Sequence, residues 1–588
     1  MKSLALYIIG CIFTFTNTAF PQGEKEGKLE NMQIAFLSDI HIQDPYALKN
    51  GDCRRDNNPQ ASPLLIKTMD AQLHSTRLFN ENYFAFIATL DDIIKRNIQY
   101  VVISGDLTDD GQETNTKSVL SILEKYKQEH NLNFFITSGN HDVITPTGGE
   151  YKSREFMSAD GQQVYLTSSP ITSSIDTLSF PCMKTIGYSD MQSLFADFGF
   201  LPEKRYIYWE SPFTDYTYQD YTYEKAQNQA TTAIDMKAND SLDMIYPFDL
   251  SYLVEPIQGL WLLAIDANVF VPSANGTYKN QGGYNDVLNH KKYLLPWIKK
   301  VTDEARRLNK LLICFSHYPM IDYSSGSFAH LKECNRKMNF SRVPMTAISE
   351  LLADAGINIH FGGHMHLNNT GFVKTASGNM LYNIQIPSLA AYMPGYKILT
   401  IKNKKQLEIS TAHIDKVSDF KELMPIYDKE LKILQSSRPD NVWQCNILAS
   451  KDYREFTRHH LSEVVRMRFI PSEYPTFVKD TFAIQTGEAT LRQFGYPDTS
   501  ISTQSINQSY NWTGFDYILD FYRILNGGKQ AITEIGEDRM NEYKTFNSVL
   551  SQCKTQTEYG IFLKNFALAF ETLLEKGLPT EILSVQLK

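Results

Sequence analysis

Five short apolar runs in this 588-residue chain each end in residues whose side chains can bind metal ions. The clearest run is Ile359–Phe361, which leads through two glycines into His364 and His366. Runs of this kind are typical of buried strands, and glycine lets the backbone turn tightly and approach a ligand closely. A single His-x-His pair is more often an ordinary surface or core feature. The repetition of the pattern is what constrains the fold.

The other four runs precede similar side chains, and they are Met32–Leu37, Tyr100–Ile103, Phe134–Ile136 and Leu311–Phe315. Between the first three of these runs lie Leu78–Arg96 and Asn115–His130, which carry apolar residues at helical spacing. Alternating strands and helices predict right-handed crossovers and a parallel sheet. Because ligands collect at the carboxyl ends of strands in open α/β folds, the side chains that follow these runs are expected to lie together.

Eight strand-end residues are candidate metal-site residues: Asp39, His41, Asp106, Asn140, His141, His317, His364 and His366. Carboxylate, imidazole and amide groups form a donor set that suits divalent zinc, manganese or iron. Any one of these residues alone is best explained as a capped turn or a satisfied core histidine. Together they exceed what one ion needs, and two ions sharing Asp106 as a bridge would use them economically.

The order of these residues resembles that of the calcineurin-like metallophosphoesterases over roughly residues 32–415. The matching blocks are Asp39-Ile40-His41, Gly105-Asp106, Gly139-Asn140-His141-Asp142, His317 and Gly363-His364-Met365-His366. The resemblance implies an α/β fold, a four-layer αββα sandwich in which helices cover two packed sheets. It also implies a dinuclear metal site.

The resemblance further implies a role for each residue. Three of them, Asp39, His41 and His366, would hold one metal ion. Asn140, His317 and His364 would hold the second, and Asp106 would bridge the two. His141 would lie over the substrate as a catalytic residue, with Asp142 behind it to orient His141 or a neighbour. The cofactors would be two divalent ions, Mn, Fe or Zn, and a bridging hydroxide would attack the phosphorus of a phosphoric ester.

A narrower resemblance rests on Asp197–Phe200, Leu250–Pro256 and Trp261–Asp266. These segments are similar to a secreted bacterial branch of the family that includes class III cyclic nucleotide phosphodiesterases with a helical C-terminal domain. The resemblance implies a phosphodiesterase acting on a small phosphodiester, with a cyclic nucleotide as one candidate. A phosphomonoesterase or nucleotidase, and a non-catalytic binding protein on the same fold, are the alternatives. The chain departs from that branch by a longer Tyr-rich insertion between Phe200 and Leu250.

The predicted organisation has a signal peptide at residues 1–20, a phosphoesterase domain at 21–416 and a helical domain at 417–588. Within the phosphoesterase domain, residues 143–250 form the Tyr-rich insertion, which either packs against the sheet or caps the site. Met380–Ile386, Gly395–Ile401 and Gln406–His413 are predicted as antiparallel strands of a second sheet. The segments with a helical pattern after residue 416 are Glu422–Leu434, Asp452–Arg468, Asp516–Leu525, Ala531–Leu550 and Thr557–Lys576. We expect this domain to brace or partly cover the sandwich, or else to mediate contacts with partners.

The net charge restricts the possible binding partners of the protein, and the N-terminal sequence indicates its cellular compartment. A net charge of −9 argues against a nucleic acid polymer as the main partner, whereas a small phosphorylated substrate remains compatible because bound cations reverse the local field. Lys2 followed by the apolar run Leu4–Phe15 predicts a secretory signal and an exported protein. A lipid anchor on Cys11 is the alternative, but the apolar run continues past it. No run reaches the ~18 apolar residues of a transmembrane helix.

Overall fold

Two mixed sheets face one another and form the centre of the molecule. The computed structural model describes residues 29–48, 64–170, 177–230, 248–439, 442–495, 510–576 and 582–587. The predicted signal peptide and Cys11 lie outside these residues. None of the helices within the described ranges has the length and apolar character of a membrane span.

The first sheet has the order β21-β20-β19-β1-β3-β4. Its strands are β1 (Gln33–Leu37), β3 (Tyr100–Ser104), β4 (Asn133–Thr137), β19 (Gly395–Asn403), β20 (Gln406–His413) and β21 (Ile582–Gln586). Strands β1, β3 and β4 are parallel, as the alternation of apolar runs and helices predicts. The other three strands run antiparallel along the opposite half.

The second sheet has the order β10-β11-β12-β15-β16-β18-β17. Its strands are β10 (Tyr208–Glu210), β11 (Tyr252–Ile257), β12 (Leu260–Ile265), β15 (Leu311–Ser316), β16 (Ile359–Gly362), β17 (Thr370–Lys374) and β18 (Met380–Gln385). Strands β12, β15, β16 and β18 run parallel to one another, whereas β10, β11 and β17 pair antiparallel at the two edges. The prediction that β18, β19 and β20 pair in one antiparallel sheet is therefore wrong, because β18 pairs with β16 while β19 and β20 extend the first sheet.

Smaller groups of strands form separate sheets outside the two main ones. One small sheet contains β2 (Leu65–Lys67), β6 (Lys152–Ser158), β7 (Gln163–Thr167) and β8 (Thr177–Ser179). Two further pairs are β5 (Thr147–Gly149) with β9 (Thr185–Gly187), and β13 (Phe270–Pro272) with β14 (Tyr278–Asn280).

Helices connect the parallel strands and cover the outer faces of both sheets. In the first two thirds of the chain they are α1 (Met69–Leu73), α2 (Asn82–Lys95), α3 (Glu113–His130), α4 (Tyr188–Leu194), α5 (Tyr223–Gln229), α6 (Tyr284–His290), α7 (Leu294–Arg307), α8 (Ser327–Cys334) and α9 (Thr346–Asp354). Between the sheets, the rings of Phe36 and Phe361 stack with their centroids 3.7 Å apart. The Tyr252 hydroxyl donates to the Ile136 carbonyl oxygen across the same interface, at 2.9 Å. The result is the predicted αββα arrangement.

The C-terminal part is mainly helical, as predicted. Its helices are α10 (Met424–Ser437), α11 (Tyr453–Val464), α12 (Thr476–Asp480), α13 (Gly487–Gln493), α14 (Gly514–Ile535), α15 (Glu537–Ser551) and α16 (Glu558–Lys576). A π-helix, Val465–Glu473, directly continues α11. The sequence pattern does not predict β21, which returns to the first sheet after α16 and pairs with β20. The division of the chain near residue 416 remains a prediction.

The Tyr-rich insertion packs against the second sheet. Tyr208 stacks on Trp261 of β12, with ring planes 15° apart and centroids at 5.8 Å. Tyr216 and Tyr221 then pack around Tyr208. A cavity opens beside the carboxyl ends of the strands, at His41, Asp106, His364 and His366. None of the described tyrosines in residues 206–223 lines it. Of the two predicted roles for the insertion, the described residues therefore fit packing rather than a cap over the site.

Candidate metal centre

The five predicted blocks meet at one edge of the sandwich, because the carboxyl ends of the parallel strands in both sheets point there. Two groups of donors result. Asp39, His41 and His366 form the first cluster, and Asp106, His317 and His364 form the second. Asn140 joins the second cluster, with its Oδ1 3.1 Å from His317 Nε2.

Within the first cluster, His366 Nε2 lies 3.3 Å from Asp39 Oδ1 and 3.2 Å from His41 Nε2. Within the second, His317 Nε2 lies 3.2 Å from Asp106 Oδ2 and 3.1 Å from His364 Nδ1. Donors held about 2.0–2.1 Å from a cation are about 2.8–3.4 Å from their neighbours, at the lower end in octahedral and the upper end in tetrahedral geometry. The observed spacings match that of a coordination shell.

The chemistry of the donors also fits cations. His317 Nδ1 faces the Ser104 carbonyl oxygen at 3.0 Å, which places one ring proton there and leaves Nε2 as the atom whose lone pair a cation can take once the second proton is lost. That lone pair faces the oxygens of Asp106 and Asn140, which are themselves acceptors. Acceptors that converge in a buried site need a cation between them. The seven predicted ligands therefore fit two metal ions, with Asp106 reaching both clusters because its Oδ2 lies 3.6 Å from His41 Nε2.

Electrostatics agree with this assignment. Burial, followed by the nearby Arg77 guanidinium, lowers the pKa of His41, and burial followed by Arg342 lowers the pKa of His364. Both rings are thus neutral and can donate a lone pair. Burial would also lower the pKa of His317, but the Asp106 carboxylate overrides it and raises the pKa to about 9. A proton on His317 is the charge that a bound cation would replace.

Backbone strain is concentrated at the same residues. Five predicted ligands adopt left-handed φ angles: Asp39 (53°), His41 (50°), Asp106 (52°), His364 (71°) and His366 (57°). Such conformations cost a residue with a β-carbon roughly 1–2 kcal/mol, and they cluster at functional sites. The two motif glycines are equally constrained, because a β-carbon at Gly363 would overlap Ser38 and Asp39, and one at Gly139 would overlap Asp106.

His141 lies beside the two clusters. Its backbone N–H donates to Asp106 Oδ1 at 2.8 Å, and its ring packs edge-on against His41 with centroids 5.1 Å apart. Its Nδ1 lies 3.3 Å from Asp110 Oδ1 and 3.2 Å from Arg77 Nη2. The sequence pattern does not predict these two contacts, although Asp110 follows the Gly-Asp block by only four residues. An ionised Asp110 would accept a hydrogen bond from the Nδ1–H group of His141, and Arg77, which can only donate, would then donate to Asp109 at 2.9 Å instead.

Of the two predicted roles for Asp142, orienting His141 or orienting a neighbour, its contacts fit the second. Its carboxylate accepts hydrogen bonds from the backbone N–H groups of Leu107 (2.8 Å), Thr108 (3.1 Å) and Gly139 (2.8 Å). These bonds join the loops after β3 and β4, which carry Asp106 and Asn140. Asp142 is thus placed to position backbone, and Asp110 rather than Asp142 contacts the His141 ring.

Replacing Asp142 with alanine is expected to lower the free energy of unfolding by about 3 kcal/mol or more, since each buried N–H left unpaired costs about 1–3 kcal/mol. Urea unfolding of the metal-free protein measures this difference. Asp142→Asn retains one acceptor oxygen and should lose less. Wild-type stability combined with lost activity in Asp142→Ala would instead indicate a direct chemical role.

A cavity of about 600 Å³ opens above the donor clusters. His41, Asp106, Asn140, His364 and His366 lie at its base. Two further sides come from the loop after α8, with Lys337 and Arg342, and from the C-terminal helices. The C-terminal region therefore covers part of the site.

The strand-end centre and the packed sheets have the arrangement expected of a metallophosphoesterase domain. Residues 32–231 match the family model for the calcineurin-like phosphoesterases, so the chain contains a domain of this family. The match includes Asp39, His41, Asp106 and the Asn140–Asp142 block, and it ends before His317. Comparison with curated protein sequences finds no match.

Two solved structures show distant similarity. A dimetal phosphatase from Danio rerio is 10% identical, with a TM-score of 0.32, and the similarity covers 65% of this chain and 96% of that one. A purple acid phosphatase from yellow lupin (Lupinus luteus) seeds is 10% identical, with a TM-score of 0.29, and the similarity covers 65% of this chain and 51% of that one.

Proposed function

We propose that this protein is an exported phosphodiesterase that hydrolyses a small phosphodiester at the two donor clusters. The observation that carries the proposal is the position of His141, beside both clusters in a cavity of about 600 Å³. The family match over residues 32–231 supports a phosphoric ester hydrolase of the calcineurin-like type. The preference for diesters, with cyclic nucleotides as one candidate, is our proposal.

Different groups in the site would have different roles in hydrolysis. Two divalent cations, when bound, would polarise the phosphoryl oxygens and lower the pKa of the attacking water. His141 would face the departing oxygen and protonate it, while Asp110 holds the opposite ring nitrogen. Arg342 reaches the His364 ring from the loop after α8 and could pair with a phosphoryl oxygen.

The residues that line the cavity support a diester. A diester carries two organic groups, and the walls beyond the clusters are partly apolar, with Phe328, Met365 and Phe469 among the lining residues. A phosphomonoesterase or nucleotidase is the second candidate. Four cationic side chains line the same cavity and would suit the extra charge of a monoester: Arg77, Lys337, Arg342 and Arg468.

Comparing two chromogenic esters separates these candidates. We expect the protein loaded with Mn²⁺ to hydrolyse bis-p-nitrophenyl phosphate with a higher kcat/KM than p-nitrophenyl phosphate, because the cavity accepts a second organic group. Adding a chelator should abolish both activities. A preference for the monoester would favour the phosphatase alternative.

A non-catalytic binding protein on the same fold is the remaining alternative. It requires neither bound metal nor the His141–Asp110 contact. Elemental analysis of the purified chain tests it directly, since a binder of this kind would carry no stoichiometric metal and would turn over neither ester.

Export rests on Lys2 and the run Leu4–Phe15. Cys182 is disulfide-bonded, which suits an oxidising compartment. Mass spectrometry of the mature protein from a secreting host tests this part of the proposal: cleavage near residue 20 is expected, and a lipid-modified Cys11 would support the anchored alternative.

A further inference from the structure

The small sheet of β2, β6, β7 and β8 lies outside the two main sheets and has an apolar core of its own. Its strand β2 ends at Lys67, whose side chain is only 1% exposed. A lysine is almost never buried to this degree unless its charge is paired. The partners of this ammonium group therefore show what the small sheet contributes to the rest of the molecule.

The Lys67 ammonium group pairs with three carboxylates. It contacts Asp109, and it lies 3.3 Å from Asp110 Oδ2 and 3.0 Å from Glu155 Oε2. Burial acts to lower the pKa of Lys67, but Asp109 and the other acidic groups nearby outweigh it and raise this pKa well above its usual value. The lysine is thus a fixed positive charge between two adjacent carboxylates, Asp109 and Asp110, that would otherwise repel each other.

Asp110 connects this lysine to His141. One of its oxygens, Oδ2, faces Lys67, while the other, Oδ1, lies 3.3 Å from His141 Nδ1. The hydroxyl group of Tyr151, just before β6, also donates to Asp110 Oδ2, at 3.5 Å. Burial acts to raise the pKa of Asp110, but Lys67 and then His141 lower it below its usual range. The carboxylate therefore accepts from the His141 ring as an anion.

Asp109 connects the same lysine to Arg77, the other neighbour of the His141 ring. Arg77 donates to Asp109 Oδ1 from Nε at 3.1 Å and from Nη2 at 2.9 Å, and Lys67 contacts Oδ2. Arg77 Nη2 lies 3.2 Å from His141 Nδ1. Lys67 is therefore linked, through one carboxylate each, to both groups beside this ring nitrogen.

Lys67 itself is held in place from several sides. The Asn80 side chain accepts from the Lys67 backbone N–H at 3.0 Å and donates to its carbonyl oxygen at 2.8 Å. The rings of Phe79 and Phe156 lie near its ammonium group, with centroids 4.3 and 5.8 Å away. Neither Lys67 nor Asp110 lines the cavity above the donor clusters. Lys67 can therefore act on a bound ester only through the residues between them.

We propose that Lys67 is a positioning residue for hydrolysis, which fixes the Asp109 and Asp110 carboxylates so that Asp110 holds the His141 ring toward the departing oxygen. The inference rests on the proposed function, in which His141 protonates that oxygen. An uncharged side chain at position 67 would leave the two carboxylates without the cation between them, and a buried charge without its partner is strongly unfavourable. Asp110 would move, and His141 would lose its fixed orientation. The donor clusters would keep all their ligands.

Two esters of similar shape test this role in the Mn²⁺-loaded full-length chain. Bis-p-nitrophenyl phosphate and diphenyl phosphate differ in their leaving groups, and phenolate needs a proton more than p-nitrophenolate does. We expect Lys67→Met to lower kcat for diphenyl phosphate by about 10- to 100-fold, the factor that corresponds to one hydrogen bond to a charged group. The kcat for bis-p-nitrophenyl phosphate should fall much less. KM and the content of two metal ions should not change.

The same substitution in a His141→Ala background separates positioning from a general structural role. Two residues that act through one network have effects that do not add. If Lys67 acts through His141, adding Lys67→Met to His141→Ala should not lower kcat for diphenyl phosphate any further. An equal decrease in both backgrounds would overturn the inference and leave the proposed function intact.

Lys310→Met is the matched control and should leave both rates unchanged. Lys310 is also buried against a carboxylate, with Glu255 Oε1 at 2.7 Å, but it lies at the opposite end of β15 from His317. If Lys67→Met does not fold, Tyr151→Phe replaces it, because this change removes only the hydroxyl group that donates to Asp110. It should lower kcat for diphenyl phosphate alone, by about 2- to 10-fold.

The outcomes distinguish the two proposals. A wild-type kcat for diphenyl phosphate in the folded variant would overturn the positioning role alone. So would wild-type protein that cleaves bis-p-nitrophenyl phosphate but not diphenyl phosphate, because protonation of the leaving oxygen would then be missing. Wild-type protein that cleaves neither ester would overturn the proposed function as well.

Discussion

Asp106→Asn is expected to reduce the hydrolysis of bis-p-nitrophenyl phosphate by roughly 10³-fold or more. Loss of an outer-shell partner of a metal ligand costs about 10–100-fold, and Asp106 reaches both donor clusters directly, at 3.2 Å from His317 and 3.6 Å from His41. Its neutral substitute would leave two cations with one fewer negative charge between them. Initial rates with Mn²⁺, together with the metal content of the purified variant, measure the effect.

The metal content should fall from two ions per chain, and the fold should persist. Asp303→Asn serves as the control, because Asp303 lies exposed on α7 and pairs only with neighbouring side chains of its own helix. Retention of wild-type rates by Asp106→Asn would contradict the two-ion centre itself.

His141→Ala is expected to lower kcat by about 10²–10⁴-fold, the range typical of a lost general acid, without loss of metal. His141 belongs to neither donor cluster, so both ions should remain. The decrease should be larger for a 3′,5′-cyclic nucleotide than for bis-p-nitrophenyl phosphate. An alkoxide leaving group needs a proton, whereas p-nitrophenolate leaves readily without one.

His130→Ala is the matched histidine control, since His130 lies exposed at the end of α3. An equal decrease on both substrates would indicate that His141 stabilises charge rather than transferring a proton. A parallel loss of metal from His141→Ala would show that this residue acts as a ligand, contrary to the geometry.

The centre was largely predictable because its determinants are local. Each donor follows the end of an apolar strand by one to four residues, so recognising the strand already places the side chain at the sheet edge. Convergence then follows from parallel topology, which the alternation of strands and helices dictates. Asp39 after β1 and His317 after β15 come from different sheets, yet both positions could be inferred without knowledge of tertiary contacts.

Features that depend on long-range pairing were not predictable in this way. Nothing local to Met380–Gln385 distinguishes pairing with β16 from pairing with β19. Hydrophobic spacing cannot distinguish an α-helix from a π-helix. The π-helix that begins at Val465 was therefore predicted as part of one helix, Asp452–Arg468. Arg77 reaches His141 from 64 residues away, and only the folded chain brings the two together.

The last strand changes how the helical region can move. Because β21 pairs with β20 over five residue pairs, from Gln406 opposite Gln586 to Ser410 opposite Ile582, the helices α10–α16 are tethered to the same sheet at both ends. A lid hinged at one end could open freely. The helices α10–α16 could move away as a unit only if the hydrogen bonds between β20 and β21 were first broken. Substrate entry through side-chain movement at the cavity mouth is therefore expected. Truncation after residue 416 would also remove β21, expose the unpaired backbone edge of β20 and promote edge-to-edge aggregation.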